Sequence, residues 1–144
     1  MSQRVHLDAN VILRFLRNDD PVQSPIAAAL FTHAQSGNVE LMLSPVTLAE
    51  VFYVLASAYG LPRPEVAKIL QTFLSSGLAS CEDRGVAEEA LQRITTKKDS
   101  FGDAYLVATA AQAHENLATF DKGITSRKDL RVYPLASLIK TRSQ

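Results

Sequence analysis

Thiols are nearly missing from this chain. Cys81 is its one cysteine, so no intramolecular disulfide can form, and a reducing, cytoplasmic setting is the expectation. Net charge is missing too. Fifteen Lys and Arg face fifteen Asp and Glu, which removes bulk attraction to nucleic acid and leaves only local patches to supply it. The N-terminus has no apolar run after Arg4 of the kind an export signal needs, so secretion is not expected. Leu41 to Pro62 is long and apolar, but Ser44-Pro45, Glu50 and Gly60 interrupt it, and a buried helix is favoured over a membrane span. The three histidines, His6, His33 and His114, lack the paired spacing of zinc sites. Repeats, low-complexity tracts and linkers are absent as well.

What is present is a globular composition, 47% apolar and 21% charged over 144 residues, read as one domain spanning residues 1–144. The stretch Arg4–Leu13 organises it. Val5–Leu7 reads as a strand, with His6 as a core histidine. Asn10 sits where a helix N-cap would sit, and Val11–Arg17 reads as a helix. Asp8 thus falls at the carboxyl end of a strand, the edge where open α/β sheets bind ligands. Helices are predicted over Pro25–Gln35, Val46–Tyr59, Pro64–Leu74, Val86–Ile94, Asp103–His114 and Leu135–Lys140. Strands are predicted over Glu40–Leu43, Leu78–Cys81, Asn116–Thr119 and Arg131–Tyr133. Alternation of the two with short links argues for an α/β fold on a parallel sheet.

Four acids stand out against this frame. Glu50 is the only charged residue between Leu41 and Pro62, Asp103 opens a run that is uncharged from Ala104 to Ala113, and Asp8 and Asp121 follow apolar strands. Surface acids usually come mixed with bases, as Glu88, Glu89, Arg93 and Asp129 do here. Brought together, the four would repel one another unless a cation lay between them, and an all-oxygen donor set suits Mg²⁺ or Mn²⁺. With no Ser or Cys nucleophile beside a base, that constellation points to metal-assisted phosphoryl chemistry.

Four segments carry a resemblance: LDANVIL (Leu7–Leu13), SPVTLAEVFYVL (Ser44–Leu55), DSFGDAYLVATA (Asp99–Ala110) and LATFDKGI (Leu117–Ile124). In this order and spacing the chain resembles a PIN-domain ribonuclease, and most closely the VapC-like toxins of toxin–antitoxin pairs. The resemblance implies a three-layer α/β/α PIN-like domain with a five-stranded parallel sheet in the order 3-2-1-4-5. It implies metal ligation or water activation by Asp8, Glu50, Asp103 and Asp121, with hydrolysis of RNA by a metal-activated water. Thr119 matches a hydroxyl that hydrogen-bonds within the acidic pocket, and Asn10 matches a position often held by Thr, Ser or Asn. Asp99 lies four residues before Asp103, and on a helix would share its face; Ser100 and Gly102 could equally start the helix after it. Arg14, Lys98 and Lys122, each near a proposed pocket acid, are candidate phosphate contacts. A homodimer and a cognate antitoxin are the implied partners. The competing expectation is a non-catalytic PIN-like module that uses its apolar helices for partner or dimer contact.

Overall fold

The protein is described here from a computed structural model covering residues 3–96, 99–125 and 127–143. Strand β1 (Gln3–His6) pairs in parallel with β2 (Val39–Leu43), His6 standing opposite Met42. Strand β2 pairs in parallel with β3 (Ser80–Cys81), Leu43 opposite Cys81. The ladder runs one residue past β1, the Leu7 N–H donating to the Met42 carbonyl at 2.9 Å. Because all three strands point the same way, the segments that leave them, Asp8, Ser44 and Glu82, emerge along one edge of the sheet.

The rest of the sheet departs from expectation. Strand β4 (Asn116–Leu117) pairs in parallel with β5 (Arg131–Val132), but among the described residues no ladder joins β4 to β1. The arrangement is therefore three strands plus two, in the partial orders 3-2-1 and 4-5, and not one continuous five-stranded sheet. Strand β4 is short for a physical reason. It begins just after the left-handed cap residue His114 (φ 56°), and it gives way to the turn at Thr119. Its two residues complete a ladder with β5 alone.

Helices follow the predicted places with modest shifts at the ends: α1 (Ala9–Arg17), α2 (Gln23–Gln35), α3 (Pro45–Ser57), α4 (Arg63–Ser75), α5 (Arg84–Thr96) and α6 (Phe101–Ala113). A single turn, α7 (Lys122–Thr125), was not anticipated, and the chain closes with a 3-10 segment over Leu135–Ser143. Pro45 at the first position of α3 needs no N–H partner, and the Ser44 hydroxyl accepts from the Thr47 N–H at 3.1 Å, so the two fix where that helix begins.

Two apolar clusters hold these elements. The larger includes Leu7, Ile12, Leu41, Leu48, Leu55 and Leu91, and the smaller comprises Val107, Ala110, Leu117, Ile124 and Leu130. Helix α6 belongs to both. Phe101, Ala104 and Ala108 enter the larger cluster, while Val107 and Ala110 enter the smaller. That double burial explains why the helix is apolar on more than one face. Within the larger cluster Phe31 packs on Phe15 (ring centroids 4.2 Å apart) and meets Phe73 edge-on at 5.9 Å, joining α1, α2 and α4. Phe31 is 2% exposed. Replacing it by Ala is expected to cost about 3–5 kcal/mol, read as a lower midpoint in denaturant unfolding with unchanged slope.

Candidate active site

Asp8 caps α1. Its Oδ1 accepts from the Asn10 N–H at 2.9 Å. The cap is thus Asp8 and not Asn10, as Ala9 and Asn10 already lie in the first turn. Buried Ala9 gives no polar signal of that start. Capping occupies one carboxylate oxygen, and the Asp8 side chain has no other partner among the described residues.

Glu50 sits in the second turn of α3, whose buried face is Leu48, Val51, Phe52 and Leu55. The residues three and four positions from Glu50 on its own side, Val46 and Tyr53, are 79% and 70% exposed. This helix is accordingly not buried all round: Val46, Glu50 and Tyr53 form an open face. Phe52 and Phe101, with ring centroids 6.2 Å apart, join α3 to the start of α6 close to Asp103. Ser100 caps α6 by accepting from the Asp103 N–H at 3.1 Å, and Asp103 lies exposed in the first turn, where the helix dipole favours a carboxylate.

Asp121 follows β4. Its own N–H donates to the Thr119 Oγ1 at 3.0 Å, and its Oδ1 accepts from the Gly123 and Ile124 N–H groups at 2.8 and 3.3 Å. Asp121 therefore caps α7 as Asp8 caps α1, and Thr119 holds the turn before it.

All four acids are exposed, and among the described residues none forms an ion pair. The contrast with other acids is direct. Asp19 and Asp20 face Arg14, Glu40 faces Arg4, Glu88 faces Arg84, and Arg93 lies 2.7 Å from both Glu89 and Asp129. As carboxylate oxygens without cations, the four suit a hard divalent ion in donor chemistry. Their spacing is more open: among the described residues, no three Asp, Glu, His or Cys side chains are grouped closely enough to hold a metal ion.

The remaining candidates divide. Asp99 is not on α6; it precedes the Ser100 cap and is ion-paired with Arg127, whose side chain is 6% exposed. Arg14 is engaged by Gln23 (2.8 Å) as well as by Asp19 and Asp20. Lys122, the first residue of α7, is exposed with no ion pair among the described residues. Lys98 lies outside the described residues. His6 is exposed on β1 rather than in the core, since that strand buries only Val5 in part. Cys81 is half-buried, and burial pushes its thiol up from the usual range. Exposed Asn10 lines a groove between α1 and α2 with Val11, Ile26 and Leu30.

Two features were not foreseen. One is the Asp99–Arg127 pair, which spans 28 residues and leaves no mark in local sequence. The other is Phe120, 88% exposed beside Asp121.

The Arg93 cluster gives a pH prediction. The hydrogen bond from Arg93 holds the Asp129 carboxyl below its ordinary value of 3.8. A group whose folded value is depressed stabilises fully above its unfolded value and loses that contribution as pH falls through the folded one. The stability gap between wild type and Asp129→Asn should therefore be complete at neutral pH and close at pH well below 3.8, as urea titrations across that range would read.

Among known families, the PIN domain matches residues 5–130. No curated protein matches the chain. No helix among the described residues is long and apolar enough to cross a membrane.

Proposed function

The chain belongs to the PIN-domain family, whose members are typically nucleases, and from that premise we propose that it is a metal-dependent endoribonuclease. Asp8, Glu50, Asp103 and Asp121 are its metal-holding acids, with Mg²⁺ or Mn²⁺ as the ion and Thr119 and Asn10 in support. The observation that carries this reading is the set of four exposed acids, all within the span that the PIN family matches, that no Lys or Arg among the described residues pairs with. Glu50 and Asp103 accept no hydrogen bond among the described residues, so turning either carboxylate toward an ion breaks no existing contact. When bound, the ion supplies a more acidic water for attack and offsets charge on the phosphodiester. The side chains named here would hold it, and Lys122 would meet the RNA backbone.

In the same reading the protein is the cytoplasmic toxin of a type II toxin–antitoxin pair, and it acts as a homodimer. Exposed Val46 and Tyr53 on α3, and Ile26 along the α1–α2 groove, supply apolar surface for those two contacts.

The test is cleavage of a loop-containing RNA by the purified chain with Mg²⁺, with Mn²⁺, and with excess EDTA. Cleavage that requires the ion supports the proposal. Equal cleavage in EDTA rules the mechanism out. Thermal stabilisation by Mg²⁺ without turnover would establish the binding-module alternative in its place.

A further inference from the structure

We propose that Phe120 is a stacking platform for one unpaired base of a single-stranded RNA, seated beside the acid Asp121. The inference rests on the ribonuclease reading and adds to it a residue that meets the substrate.

Phe120 is the most exposed large apolar side chain among the described residues, at 88% against 79% for Val46 and 70% for Tyr53. Its backbone is held on both sides. The Thr119 hydroxyl accepts the Asp121 N–H at 3.0 Å, and the Asp121 carboxylate accepts the Gly123 N–H at 2.8 Å. Below the turn, Leu117 and Ile124 are buried in the smaller apolar cluster. An aromatic ring thus stands in water on a turn that is fixed before any ligand arrives, which lowers the ordering cost of binding. Lys122 lies two residues on, exposed and without an ion pair among the described residues.

An aromatic face with a free ammonium close by is the pairing that single-stranded nucleic acid uses, base on ring and phosphate on cation. A purely apolar partner would leave the Lys122 ammonium, two residues on in the chain, without a counterpart, whereas an RNA phosphate supplies one. That cation beside the aromatic in the chain therefore favours RNA over an apolar protein surface. Stacking is also tolerant of sequence, because every base has a π-face.

The chain has no tryptophan, so Phe120→Trp installs a single indole reporter at the position in question. In an Asp8→Asn background, which keeps the RNA intact, titration with a single-stranded oligoribonucleotide is expected to quench the indole to saturation. An abasic ribose-phosphate oligomer of the same length should bind more weakly and quench little. In the same background Phe120→Ala should raise Kd about 5- to 150-fold, Phe120→Tyr should restore it, and the thermal midpoint should stay unchanged. RNA cleavage by wild type with Mg²⁺ is measured alongside. If wild type cleaves RNA but Phe120→Ala binds as tightly as its parent, or the indole does not respond on binding, the platform is overturned and the ribonuclease reading stands. If no RNA is bound or cleaved, both fall. Indole emission that changes with protein concentration in the absence of RNA would assign the ring to a contact between copies and overturn the proposal.

Discussion

Replacing Asp8 by Asn is expected to lower Mg²⁺-dependent RNA cleavage by about 100- to 1000-fold, the loss that corresponds to several kcal/mol of transition-state stabilisation. The substitution isolates charge. The Asp8 Oδ1 caps α1 through the Asn10 N–H, and Asn is as good an N-cap as Asp. Its amide oxygen can accept the same bond, so the helix start should survive while the anionic ligand is gone. Asp8→Ala removes both, and about 1 kcal/mol of stability should go with the lost cap. Initial rates with an end-labelled RNA, together with urea unfolding of the three proteins, separate the two roles. A fully active Asp8→Asn protein of native stability would show that Asp8 is only a cap.

Arg127→Leu is expected to be the most damaging single change outside the larger core, costing about 3–5 kcal/mol and lowering the melting temperature by on the order of 10 °C. The Arg127 side chain is 6% exposed and its partner Asp99 is 15% exposed. Removing the guanidinium leaves a carboxylate that water reaches poorly. The pair itself is a weaker asset than that figure suggests, because its desolvation offsets much of the attraction. The Arg127 Nη1 is buried with no partner among the described residues. The double variant Arg127→Leu/Asp99→Leu should therefore recover most of the lost stability, and a double-mutant cycle in urea measures the coupling. The pair also ties the segment before the Ser100 cap, and with it Asp103, to the segment after α7, which Asp121 caps. Arg127→Leu should consequently depress cleavage by more than its unfolded fraction explains.

How far the sequence disclosed this arrangement depends on where each signal resides. Helices α2 and α4 were legible because prolines near their starts and glycines past their ends mark both boundaries locally. The four acids stand out in the sequence as isolated charges in apolar runs, and their exposure fits that pattern, whereas how closely they approach one another is set by tertiary folding that no local signal carries. Strands β3, β4 and β5, of two residues each, carry too little pattern to show which neighbour they pair with, so a continuous sheet was the natural and mistaken extension. Turn α7 reads Lys-Gly-Ile-Thr, a glycine-containing segment too short for a helical period. The apolar run that begins at Val11 points to a cap at Asn10, two residues late, because the helix itself begins at small, buried Ala9 and is capped by Asp8. The Asp99–Arg127 pair is set by tertiary folding alone, and so is the exposure of Phe120.

Helix α6 is a wall shared by two rooms. Its Phe101, Ala104 and Ala108 side closes the larger cluster, and its Val107 and Ala110 side closes the smaller. Neither room keeps that wall if the other collapses, since each supplies part of the burial that holds α6 helical. The turn bearing Thr119, Phe120 and Asp121 hangs from the smaller room, so its integrity is underwritten by apolar contacts across the helix.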